Sequence, residues 1–308
     1  MINNNQNVAE ILQICKKVSP QKNTHICTLL SKILNLRSIE ILTNPNKKIS
    51  EKNKKALLKK FFFFINGKPL SKILGSREFF SRDFLINAHT LDPRPESEIL
   101  IDVVKDLVKN TNLKRMKILE LGVGSGCLLI TLFLELKKMN VTGKFFGVDI
   151  NINALKVAMK NQSRFNISSR SLNFIQSNWF TEIGGKFDII VSNPPYISTN
   201  EFNDLDKTVK NYDPRSALDG GSEGLECFRQ ISKRVFYHLK NNGFFIVEIG
   251  SKQKELVKEI FEEIKEARQI TEIPNFWKTM ANSPETLERT WRSLQQVMGK
   301  GELDPAVK

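Results

Sequence analysis

Early in the chain apolar residues recur at helical spacing, first Val8, Ile11, Leu12 and Cys15, then Leu29, Leu30, Ile33 and Leu34, with Ser19-Pro20 and Asn44-Pro45 breaking the run. The spacing predicts a small helical bundle over residues 1–65, followed by a linker over 66–98. From residue 99 the pattern changes to short apolar runs separated by helical stretches: Lys117-Ile118-Leu119-Glu120-Leu121, Lys144-Phe145-Phe146-Gly147-Val148, Leu172-Asn173-Phe174-Ile175-Gln176, Phe187-Asp188-Ile189-Ile190-Val191 and Phe244-Phe245-Ile246-Val247-Glu248-Ile249. Strands alternating with helices predict an α/β domain with a mainly parallel sheet over 99–256. Beyond Leu256 the pattern reads helical and breaks at Pro274, which predicts a helical tail over 257–308. Residues 244–249 are apolar on both faces, so they would form an open, aggregation-prone edge unless that tail covers them.

Composition changes this picture little. A chain of 308 residues, 40% of them hydrophobic, can bury two cores. The four cysteines (Cys15, Cys27, Cys127, Cys227) contain no close-spaced pair, and the three histidines (His25, His89, His238) form no cluster, which argues against a disulfide scaffold or a metal site. No apolar stretch approaches the ~20 residues of a membrane span, and the N-terminus is too polar for a secretory signal, so a cytoplasmic protein is expected. The net charge of +14 raises a nucleic-acid partner. The basic stretch 47–60 has few aromatics before Phe61-Phe62-Phe63-Phe64, however, so the charge is read mainly as a solvated face.

The candidate chemistry lies at strand ends, where open α/β sheets build their sites. Asn193-Pro194-Pro195-Tyr196 follows the fourth apolar run. An Asn side-chain oxygen and the next carbonyl can accept one N–H each from a planar NH2 group, and the fixed φ of two prolines aims the Pro194 carbonyl in advance. Tyr196 can then pack its ring on the flat group. The loop Gly122-Val123-Gly124-Ser125-Gly126 opens a helix over 127–138. A dinucleotide fingerprint would want Gly or Ala at 127, and Cys127 there favours a ligand without a pyrophosphate. Asp149, ending the second run, is placed to accept ribose hydroxyls, and Asn178 and Trp179, after the third, are candidates for an adenine ring.

This set resembles the S-adenosylmethionine-dependent methyltransferases that alkylate planar nitrogens. The flanks narrow the resemblance to the release factor glutamine methyltransferases, over roughly residues 5–260. The segments Gly67-Lys68-Pro69-Leu70 and Leu74-Gly75-Ser76-Arg77-Glu78-Phe79 are similar to that family's hinge. Leu91-Asp92-Pro93-Arg94-Pro95-Glu96-Ser97-Glu98 is similar to its Arg-Pro-acid-Thr-Glu signature, with Asp and Ser where Ile and Thr are usual. Tyr212-Asp213-Pro214, Ala217-Leu218-Asp219-Gly220-Gly221 and Gly224-Leu225 match its later motifs. Asn178 stands where the family usually carries Asp.

The resemblance implies a class I, Rossmann-like methyltransferase with an N-terminal helical domain that docks substrate. It implies S-adenosylmethionine as cofactor, near Gly122 to Gly126, Asp149, Asn178, Trp179 and Asn193. Asn193, Pro194 and Tyr196 would be catalytic, and Pro195, Arg94 and Glu96 would join them in binding the glutamine of the Gly-Gly-Gln motif of release factors. The family's sixth and seventh strands are not visible. Instead, residues 273–291 resemble the opening helices of carboxymuconolactone decarboxylase and alkylhydroperoxidase-like proteins, without their redox Cys-x-x-Cys. Other readings stay open: an exocyclic amine of adenine or guanine in nucleic acid, a ribosomal-protein glutamine, or a cofactor-binding but inactive interaction module.

Overall fold

The computed structural model describes residues 7–18, 23–111, 113–267 and 276–280, and these form two compact units. The first comprises residues 1–77 together with 206–212. Its helices are α1 (Val8–Val18), α2 (Asn23–Leu34), α3 (Ser38–Thr43), α4 (Glu51–Ile65) and α5 (Leu70–Leu74), around a core that includes Val8, Ile11, Leu29, Leu30, Ile41, Leu57, Phe61 and Phe64. The Ser50 hydroxyl caps α4 by accepting from Asn53 N–H. The four-phenylalanine run divides by helical period, with Phe61 and Phe64 buried while Phe62 and Phe63 face solvent. Ser19-Pro20 lies outside the described residues.

The second unit comprises residues 78–205 and 213–308. The stretch read as linker is structured: β1 (Ser76–Phe79) and β2 (Arg82–Leu85) form a two-stranded sheet, and Pro95–Glu98 forms a 3-10 turn. The elements that follow are α6 (Ile99–Thr111), β3 (Arg115–Leu121), α7 (Cys127–Lys138), β4 (Thr142–Asp149), α8 (Ile152–Arg164), β5 (Leu172–Gln176), β6 (Phe187–Ser192), α9 (Thr199–Asp204), α10 (Lys207–Lys210, within the first unit), α11 (Glu226–His238), β7 (Leu239–Ile249), α12 (Lys254–Ala267) and β8 (Phe276–Met280). The six-stranded sheet has the order β5-β4-β3-β6-β7-β8, all neighbours parallel. From β3 the chain winds outward through β4 to β5, then returns to the other side for β6, so the switch in direction falls between β3 and β6. Ligands bind at that point in open α/β sheets.

Both sheet faces are covered, and the two-residue period assigns them. Met116, Ile118, Phe145, Ile189, Val191 and Ile246 lie in one core, with residues of α6, α7 and α8. Leu119, Leu121, Val148, Ile190, Phe245, Val247 and Ile249 lie in the other, with residues of α11 and α12.

The tail departs from the sequence expectation. Within the residues read as helical, Lys254–Ala267 is a helix, but Phe276–Met280 is a strand running parallel to β7, from Phe245↔Phe276 to Ile249↔Met280. Phe276, Trp277 and Thr279 are residue types that suit a strand, and the edge of β7 supplies unpaired backbone donors and acceptors. Among the described residues, one strand occupies the edge where two were thought missing. The rest of the segment that resembles carboxymuconolactone decarboxylases lies outside the described residues. No helix among the described residues is long and apolar enough to cross a membrane.

Candidate active site

Loops at the C-terminal ends of β3, β4, β5 and β6 enclose a cavity of about 460 Å³, lined among others by Gly122, Gly124, Asp149, Asn178, Trp179, Asn193 and Pro195. That volume lies within the range of small-molecule sites, roughly 300–1,000 Å³.

The glycine loop has three left-handed residues, Gly122, Gly124 and Gly126, at φ of 72°, 53° and 79°. Gly126 is also needed for space: a Cβ there would lie 3.1 Å from Ala158 Cβ, 3.2 Å from Ile130 Cδ1 and 3.3 Å from Phe174 Cζ, so α7 can sit close on the sheet only without it. Before Gly124 the space is open. Val123 and Ser125 are buried beneath the loop. Val123 N–H donates to Val148 O at 2.9 Å, and Asn161 Nδ2 donates to Ser125 O at 2.8 Å. Gly126 gives α7 no side-chain cap, and the first turn has no acid. Buried Glu120 accepts a hydrogen bond from the backbone N–H of Leu129 in that turn. Burial pushes its carboxyl well above the usual range.

Asp149 ties the second loop to the first. Its Oδ2 accepts Gly124 N–H at 2.9 Å and its Oδ1 accepts Asn151 N–H at 2.8 Å. Burial raises its carboxyl, and these two backbone bonds work against the rise. Each oxygen keeps a further lone pair. Trp179, itself left-handed at φ 51°, is held by its indole N–H donating to Gln230 Oε1 at 2.8 Å. A Cβ on Gly122 would come within 4.0 Å of its ring, so Gly122 and Trp179 together shape one wall. Asn178 is on that wall, and its backbone carbonyl accepts the Thr181 hydroxyl at 2.7 Å.

β6 is buried along its whole length and delivers Asn193 to the cavity rim. Asn193 Nδ2 donates to Ser97 Oγ at 2.9 Å, Ser97 Oγ donates to Glu248 Oε2 at 2.6 Å, and the Tyr196 hydroxyl donates to Glu248 Oε1 at 3.2 Å. Glu248 is 1% exposed. Its carboxyl is pushed up to about 7 by burial, against hydrogen bonds from Ser97, Tyr196 and Asn193, and with a push upward from Glu96. Two glycines brace the motif from outside: a Cβ on Gly220 would meet Pro195 O at 2.7 Å, and one on Gly224 would collide with Tyr196 O.

The structure therefore brings Gly122, Gly124, Asp149, Asn178, Trp179, Asn193 and Pro195 to one cavity, with Val123, Ser125 and Gly126 supporting the loop from below. Pro194, Tyr196, Arg94 and Glu96 are not on the wall of this cavity. Arg94 Nη2 donates to Asp213 Oδ2 at 2.8 Å, and Glu96 is exposed. Ser97 was read from sequence only as part of the family signature and Glu248 only as part of an apolar run, and neither was given a role at the site. The available signal was a lone acid inside an apolar strand, since a charge placed there demands partners.

A model of a methyltransferase domain, Methyltransf_31, matches residues 112–301. The bifunctional methyltransferase of Rickettsia bellii is 39% identical over 258 residues, covering 76% of this chain and 46% of that protein. The chain spans about half the length of such relatives. The release factor glutamine methyltransferase of Koribacter versatilis is 33% identical over 251 residues, covering 81% of this chain and 86% of that protein. Its counterpart from Caulobacter vibrioides is 34% identical over 224 residues, with 72% and 75% covered.

Proposed function

The chain belongs to the release factor glutamine methyltransferases, and from that premise we propose that it transfers a methyl group from S-adenosylmethionine to the side-chain amide nitrogen of the glutamine in the Gly-Gly-Gln motif of peptide chain release factors. A chain with this substrate works in the cytoplasm, where translation terminates.

The residues present fit the cofactor. The remaining lone pairs of Asp149 suit a ribose diol, the open space before Gly124 leaves room for a ligand beside backbone, and Trp179 offers a fixed ring beside Asn178. When bound, S-adenosylmethionine supplies an electrophilic methyl on its sulfonium sulfur.

The observation that carries the reading is the fixed end of Asn193. With Nδ2 committed to Ser97, the planar amide presents its oxygen the other way, as an acceptor for one N–H of the substrate. The Pro194 carbonyl accepts the second. An amide nitrogen is a poor nucleophile because its lone pair is delocalised, so holding both N–H groups, and thereby aligning the nitrogen and favouring its rehybridisation, is where this chain lowers the barrier. Once alkylated, the nitrogen is acidic enough to lose its proton to water, so no side chain is needed as base. The ring of Tyr196 covers the amide, and Arg94, held by Asp213, shapes the approach to it together with Glu96.

The test is incubation with isotopically labelled S-adenosylmethionine and a folded release factor, followed by mass spectrometric mapping. Label on the Gly-Gly-Gln glutamine, lost in Asn193→Ala, supports the reading. Label only on nucleic acid or on a ribosomal protein would replace it.

A further inference from the structure

We propose that Ser97 and Glu248 are positioning residues that set which end of the Asn193 amide faces the substrate, by fixing the direction of every proton in the chain Asn193–Ser97–Glu248–Tyr196. The inference rests on the reading above, that a substrate N–H must find the oxygen of Asn193.

An Asn amide is nearly symmetric in shape, and only its hydrogen bonds decide which end is NH2. The hydroxyl of Ser97 has one proton. When Glu248 is ionised its carboxylate accepts only, so above the pH at which it titrates that proton is committed to Oε2 at 2.6 Å. The side of Ser97 Oγ that meets Asn193 then carries a lone pair and demands a donor, which is Nδ2 at 2.9 Å. A flipped amide would set a carbonyl oxygen against that lone pair, and against Glu248, which Asn193 also reaches, with no proton between them. The other carboxylate oxygen takes the Tyr196 hydroxyl, so the same acid also holds the ring. Glu248 lies on the sheet face that bears Phe244 and Ile246, where nothing but this chain of bonds accounts for a carboxylate. Its cost of burial is met by a function one hydroxyl away. The groups facing it are Ser97 and Glu96 from the 3-10 turn and Asn193 and Tyr196 from the segment after β6.

The experiment compares wild type with Ser97→Ala, Ser97→Thr and Glu248→Gln. Turnover on a release factor is measured beside KM for S-adenosylmethionine, with thermal unfolding to show that each variant folds. Ser97→Ala and Glu248→Gln are expected to lower kcat about 10- to 100-fold, the scale of a misplaced reacting group, with KM for the cofactor within about twofold. Ser97→Thr, which keeps the hydroxyl, retains most of the rate. In parallel, the side-chain NH2 resonances of Asn193 in nitrogen-15-labelled protein, identified by their loss in Asn193→Asp, are expected to move in Ser97→Ala and Glu248→Gln and to stay in place in Ser97→Thr.

An active wild type with unchanged kcat in folded Ser97→Ala and Glu248→Gln would overturn the inference. An inactive wild type would instead overturn the proposed substrate. The resonances would then judge the chain of protons alone, and unmoved signals would overturn it.

Discussion

Gly124 donates its backbone N–H to the carboxylate of Asp149 at 2.9 Å, so the loop after β3 and the acid ending β4 form one wall. Asp149→Asn removes the charge and leaves one oxygen to accept in place of two. Its expected effect is a Kd for S-adenosylmethionine raised about tenfold or more, read by titration calorimetry, because bonds to a charged acceptor are worth roughly 1.5–3 kcal/mol. An unchanged Kd would place the ribose elsewhere.

Gly126→Ala meets two obstacles, a φ of 79° and three carbon atoms at 3.1–3.3 Å. Strain of this kind costs about 1–3 kcal/mol, so a lower urea midpoint is expected. Gly184→Ala, with open space and no such φ, is the control and leaves the midpoint in place.

Glu248 gives stability a pH dependence of definite sign. Its folded carboxyl titrates near 7 against an ordinary 4.5, so the folded state holds the proton more tightly. The stabilisation is fully present below about 4.5 and is lost as pH rises through about 7. Urea unfolding of wild type and Glu248→Gln at pH 5 and pH 8 is expected to show wild type losing more than the variant on going up, by at most about 3 kcal/mol.

Arg94 and Asp213 form a pair in which the acid is 4% and the arginine 35% exposed. Arg94→Ala deprives a buried carboxylate of its cationic partner, and a loss of about 2 kcal/mol is expected, below the 3–5 of a fully buried pair because the arginine is partly solvated. Arg94→Lys recovers only part of it. Equal midpoints for the three proteins would mean that the pair adds nothing to stability.

The parts legible from sequence were those with local causes. β3 to β6 announce themselves as apolar runs because both faces of the sheet are buried, and Gly122, Asp149 and Asn193 could be placed because each directly follows or ends such a run. Ser97 gave no such signal, since its partner Glu248 is 151 positions away and pairing at that distance leaves no period to read. The inclusion of 206–212 in the first unit was hidden for the same reason. Phe276–Met280 was misread because a five-residue strand is too short for its residue types to outweigh the helical spacing read around it in the sequence.

Synthesis runs from the N-terminus, so Ser97 and Asn193 emerge long before Glu248, and the bond that closes their chain spans most of the second unit. Contacts of such sequence separation form late, after the loops between them have been closed. A nascent chain ending after β6 already holds the glycine loop, Asp149, Ser97 and Asn193, but lacks Gln230, which holds Trp179, and Glu248, which takes the Ser97 proton. The cofactor wall and the amide clamp are thus both finished late, only when α11 and the fifth strand of the sheet dock.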